Sequence, residues 1–115
     1  MYQKRYEIIS QDSSRNYRKI EREALMKAIK AMRLGYEAGP TSHESIRACI
    51  LMQKIWSIIL TDVMDDENKL PLDLRANIIS IGIWIQRELT DILSGKSNNL
   101  TGVIEINQII ADGLL

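Results

Sequence analysis

The spacing of the apolar residues constrains this chain more than any other feature. In four stretches they recur at steps of three and four, the period of one face of an α-helix. Tyr17, Ile20, Ala24, Leu25, Ala28, Met32 and Tyr36 form the first series. Ile46, Cys49, Ile50, Met52, Gln53, Trp56, Ile59, Leu60 and Val63 form the second. Leu74, Ile78, Ile81, Ile85, Leu89 and Ile92 form the third, and Val103, Ile106, Asn107, Ile110 and Leu114 the fourth. Propensity alone points the other way, because the chain holds 19 Ile and 12 Leu against 2 Val and no Phe, and Ile favours strands. Six Gly and two Pro are too few turn signals for many short strands, so the helical period decides.

Punctuation residues divide the series. An N-terminal segment, residues 1–13, aligns Tyr2, Tyr6 and Ile9 on one helical face, and Gln11-Asp12-Ser13-Ser14 reads as a boundary with Ser13 or Ser14 as N-cap. The first long helix is expected from Ser14 to Glu37, stopping at Gly39-Pro40. Thr41-Ser42-His43-Glu44 reads as a capping box with Thr41 as cap, opening a second helix that ends near Met64. Leu70-Pro71-Leu72-Asp73 starts the third, and Ser94-Gly95 ends it. Gly82 lies inside that helix, where close contact with a neighbouring helix is the expected reason. A short last helix spans about Leu100 to Asp112. The expected fold is all-α: a compact, mostly antiparallel helical bundle of three long helices and a short C-terminal one, with a short N-terminal segment, as one domain over residues 1–115.

Several function classes are set aside by composition and motif. Fifteen basic and fifteen acidic residues give a formal charge of zero, which does not suit a protein that coats nucleic acid or anionic membrane. One cysteine excludes an intrachain disulfide, and one cysteine with one histidine does not make a zinc site. No apolar run reaches the length of about 18 residues that a membrane span needs, and Met1 to Tyr6 lacks the apolar core of a signal peptide. Phosphate-loop, dinucleotide, nucleophile-elbow and HExxH patterns are missing. His43 sits at a helix start and reads as a surface residue, and Cys49 lies on an apolar face and reads as a small buried hydrophobe. Asp65-Asp66-Glu67 lacks the alternating oxygen ligands of a calcium loop and reads as a solvated turn. No enzyme activity, cofactor or metal is expected.

Two asymmetries remain. Residues 1–33 carry nine Lys/Arg against four Asp/Glu, a net of +5, while residues 34–115 carry six against eleven, a net of −5. The first helix thus presents Arg15, Arg18, Lys19, Arg22, Lys27, Lys30 and Arg33 outward. That row is either an ordinary solvated face or a contact for RNA or an acidic protein, and it lacks interleaved aromatics for base stacking. Apolar residues also exceed what one core needs. Leu51, Ile55, Ile58, Ile79, Ile83 and Ile109 lie off the main stripes and require deeper burial, self-association or a partner's amphipathic helix as cover.

Several segments occur in an order that carries further meaning: Met1-Tyr2-Gln3 with Tyr6, Glu37-Ala38-Gly39-Pro40, Trp56, Asn68-Lys69-Leu70-Pro71 with Arg75, Ile79-Ser80-Ile81-Gly82-Ile83-Trp84, and Gly102 through Leu114. Together, over nearly the whole chain, they resemble the flagellar biosynthesis regulator FlaF family. The resemblance implies a cytoplasmic, non-catalytic bacterial protein acting after transcription on flagellin production, beside an FlbT-like regulator. The favoured mechanism is direct, chaperone-like binding of flagellin, with Tyr2, Tyr6, Ile9, Leu51, Ile55, Ile58 and Ile109 as partner-binding candidates. The alternatives are an RNA-binding regulator of flagellin mRNA that uses the basic face, and a subunit of an FlbT-containing complex; homo-oligomers remain open. Glu105 and Asn107, on an isoleucine-rich helix, are expected to hydrogen-bond inside the fold.

Overall fold

Four helices follow one another through short turns: α1 (Tyr2–Ala38), α2 (His43–Met64), α3 (Leu72–Leu93) and α4 (Leu100–Gly113). This computed structural model describes residues 2–113, with side chains from Arg18 onward. Among the described residues there is no strand, so the helical period prevails over the β-propensity of isoleucine.

The separate N-terminal segment is corrected. Residues 2–13 are the beginning of α1, which runs unbroken through Gln11-Asp12-Ser13-Ser14. Ser and Asp lower helix stability by roughly 0.5 kcal/mol each relative to Ala, but no Gly or Pro stops the ladder there. The helix ends at Gly39, whose φ of +114° is open to glycine and strained for other residues. The cap of α2 is also corrected, from Thr41 to Ser42. Ser42 Oγ accepts from Ser45 N at 3.1 Å and donates to the Gly39 carbonyl at 2.6 Å, so one hydroxyl closes α1 and opens α2. Glu44 then lies in the first turn of α2 and complements the helix dipole there.

The α2–α3 turn is fastened by side chains. Asn68 Nδ2 donates to the Asp62 carbonyl at 3.1 Å, and its Oδ1 accepts from Leu70 N at 3.0 Å. Arg75 reaches back from α3, donating to the carbonyls of Val63 and Asp65, both at 2.8 Å. Pro71 caps α3 from outside the helix. Asn99 Oδ1 accepts from Gly102 N at 3.1 Å, capping α4.

Cross-helix pairs give the topology. Gly35 lies against Ser45, and Glu21 faces Asp62, so α1 and α2 run antiparallel. Gly82 lies against Leu60, and Gln86 donates to the Gln53 carbonyl at 2.9 Å, so α2 and α3 do the same. The short α4 packs on α1 and α3 and thereby closes the ring of helices. The whole measures 57 × 22 × 20 Å, its long axis matching the roughly 55 Å expected of a 37-residue helix.

The core runs along the inner stripes and includes Leu25, Met32, Met52, Trp56, Ile59, Ile78, Ile85, Leu89, Leu100 and Ile110, all fully buried. Each such side chain contributes about 1.5–3 kcal/mol by leaving water. Cys49 belongs to this core, and burial pushes its thiol pKa up. Trp56 is the largest member; its Nε1 donates to Asn107 Oδ1 at 2.6 Å, and Asn107 Nδ2 donates to the Val103 carbonyl at 2.7 Å. The expected internal role of Asn107 is therefore seen, whereas Glu105 is exposed. Gly82 is glycine for the reason expected: a Cβ there would fall 2.7 Å from Leu60 Cδ2 and 2.8 Å from the Trp56 ring.

Candidate functional site

Because α4 is short and its inner face is committed to α1 and to Trp56, the seam between α3 and α4 stays partly open. It forms a groove of about 340 Å³ lined by Ile81, Trp84, Gly102, Glu105, Ile106 and Ile109. The α4 residues at 102, 105, 106 and 109 share one helical face, and Ile81 and Trp84 stand one turn apart on α3. Trp84 is 43% exposed and Ile109 is 61% exposed, large values for side chains of this size and polarity. The lining residues are apolar or glycine apart from Glu105, which is exposed. Such a surface binds by burying apolar area, with one charge available for orientation.

The partner-binding candidates scatter. Ile109 stands in the groove. Leu51 and Ile58, 38% and 52% exposed, lie seven residues apart on the outer face of α2. Ile55 is corrected from a partner-binding candidate to the core, the deeper-burial alternative: it is 7% exposed, one turn from Met52 and Ile59 on the stripe that faces the bundle. Ile79 is half-buried against the core, and Ile83 is exposed. Tyr2, Tyr6 and Ile9 lie outside the residues whose side chains are described, as does Arg15.

The other basic residues of α1 are at the surface. Lys19, Arg22, Lys27, Lys30 and Arg33 are exposed and Arg18 is half-buried. Arg33 is engaged within the fold, donating to Gln108 Oε1 at 3.2 Å. Exposed Ile20 and Leu34 interrupt the row, so it is a mixed surface rather than a continuous cationic strip. His43 and the Asp65-Asp66-Glu67 run are exposed, and no three or more His, Cys, Asp or Glu side chains among the described residues are grouped to hold a metal ion. No helix among them is long and apolar enough to cross a membrane.

Sequence reasoning missed two features. Ile81 belongs to the three- and four-residue series of α3, yet it lines the groove together with Trp84; the signal is Trp84 standing about 200° round the helix from Gly82. The second is Glu21, 4% exposed on α1, with neither carboxylate oxygen hydrogen-bonded to a described residue. Burial pushes its pKa from 4.5 up to about 8, the adjacent Asp62 adds to the rise, and Arg18 opposes it. A charge count includes Glu21 only as one of the four acidic residues of the basic first third, and composition does not show that position 21 turns inward.

No curated protein and no solved structure matches this chain. The family model of the flagellar protein FlaF matches residues 2–114, essentially the whole chain, and the chain belongs to that family.

Proposed function

We propose that this FlaF-family protein is a post-transcriptional regulator of flagellin synthesis and flagellum assembly that works by binding flagellin. It covers amphipathic flagellin helices before export, in company with an FlbT-like regulator, in the cytoplasm and without catalysing a reaction. Unassembled flagellin exposes apolar helix faces that would otherwise pair with one another. The observation that supports this reading is the open apolar groove between α3 and α4, with Trp84 and Ile109 exposed in a bundle whose own core is already complete. An exposed tryptophan flanked by isoleucines is the kind of anchor on which helix-in-groove recognition rests.

The second reading, contact with flagellin mRNA through Lys19, Arg22, Lys27 and Lys30, draws on their exposure along α1. Salt separates the two. Purified protein and flagellin are expected to co-elute from a sizing column in about 0.5 M salt, because apolar contacts outlast screening at a Debye length of only a few ångströms. Separate elution there, together with binding to the flagellin leader RNA that weakens steeply as salt rises, would overturn the flagellin reading in favour of phosphate contacts.

A further inference from the structure

We infer that the α3–α4 groove takes an amphipathic helix whose apolar stripe is flanked by lysine or arginine, with the cation set against Glu105. This rests on the reading above that the groove binds a partner protein, and it names the chemistry of the segment bound.

The shape selects a helix. Both walls are helical, so their backbone N–H and C=O groups are paired internally and offer no edge to a β-strand. Two helices side by side leave a furrow into which a third packs at roughly 8–10 Å, lowering side chains between them. Trp84 of α3 and Ile109 of α4 stand on opposite banks of that furrow. A small polar ligand fits poorly, since orienting one takes several converging polar groups and this groove has a single carboxylate.

The charge selects the flank. Glu105 lines the groove and is exposed. The side-chain hydrogen bonds described for α4 run through Asn107, Gln108 and Asp112 and do not engage it. α4 carries no Lys or Arg, and residues 34–115 have an excess of five acidic residues. An apolar helix lying over Glu105 removes water from its carboxylate, which is unfavourable unless a cation replaces that water. A glutamate or aspartate at the same place is repelled, so the single carboxylate discriminates between helices with the same apolar stripe.

Tryptophan emission reads the groove directly, because Trp56 is fully buried and Trp84 is not. The probes are two synthetic helical peptides with the same leucine stripe, one flanked by lysines and one by glutamates. The lysine peptide is expected to shift Trp84 emission to the blue and to bind about tenfold tighter than the glutamate peptide. Glu105→Lys is expected to reverse that order, and Ile109→Asp to weaken both peptides about tenfold. Both positions are exposed, and circular dichroism checks that each variant keeps its helices.

Equal affinity for the two peptides, or an unchanged preference in Glu105→Lys, would overturn the inference. So would a dimer in sedimentation that becomes a monomer in Ile109→Asp, since a second copy would then be the occupant. A groove that takes the lysine peptide while intact flagellin elutes apart contradicts the flagellin reading alone. Flagellin that co-elutes equally with wild type, Ile109→Asp and Glu105→Lys contradicts this inference alone.

Discussion

The junction where Trp56 of α2 meets Gly82 of α3 and Asn107 of α4 shares α3 and α4 with the groove beside it, and the two regions have opposite character. On α3, Gly82 admits the Trp56 ring while Trp84, two residues later, stands half in solvent. On α4, Asn107 is fully buried against Trp56 while Ile109, two residues later, is exposed. Two residues are about 200° of helix, so one short segment serves the inside and the outside at once. In each pair the side chain better suited to burial is the one left out: tryptophan outside glycine, isoleucine outside asparagine. The buried partner is chosen for fit and hydrogen bonding, and the exposed one adds little to the stability of the isolated fold. The comparison therefore divides the molecule into a region whose loss should unfold it and a region whose loss should leave it folded and unable to capture a partner.

The largest effect is expected at the junction. Trp56→Ala removes the centre of the core and leaves Asn107 Oδ1 without its donor, so stability should fall by about 3–5 kcal/mol, read as the urea midpoint. Gly82→Ala should lower the same midpoint by about 1–3 kcal/mol despite alanine's better helix propensity, because the new Cβ meets Leu60 and the Trp56 ring. An unchanged midpoint would mean that α2 and α3 are less closely packed than described.

The two carboxylates Glu21 and Glu105 sharpen the contrast. The folded protein holds the Glu21 proton up to about pH 8, while an unfolded glutamate releases it near pH 4.5. Stability from this group is therefore complete below about pH 4.5 and declines as pH rises through about 8. Glu21→Gln should flatten that decline and stabilise the protein at pH 8.5 by on the order of 2 kcal/mol, measured as thermal midpoints across pH. Glu105→Gln, at an exposed position, should leave the midpoints unchanged. Equal slopes for wild type and Glu21→Gln would place the Glu21 carboxyl in water. A comparably small effect on stability is expected from Ile109→Asp, within about 0.5 kcal/mol.

Much of the bundle was legible because its signals are local. The three- and four-residue period marks each helix, Gly39 and Ser94-Gly95 mark two stops, and Gly82 and Asn107 stand out as anomalies in apolar helices, with packing and hydrogen bonding as their reasons. The boundary placed at Ser13-Ser14 was not there, since a cap residue permits a helix start without requiring one. What escaped depends on how helices meet. α2 is apolar over so wide an arc that Ile55 and Ile58 look alike, and only the position of its neighbours assigns one to the core and the other to the surface. The groove exists because α4 is short, packs mainly on α1 and turns Asn107 inward to Trp56, a consequence of packing that no single segment contains. Of the seven partner-binding candidates, Ile109 alone lies in it among those whose side chains are described.

The separation between junction and groove is tested most directly by measuring one variant two ways: the thermal midpoint of Ile109→Asp and its co-elution with flagellin in about 0.5 M salt. The account predicts a midpoint within a couple of degrees of wild type and loss of co-elution. Co-elution retained at wild-type levels, or lost only together with a fall in the midpoint, would contradict it.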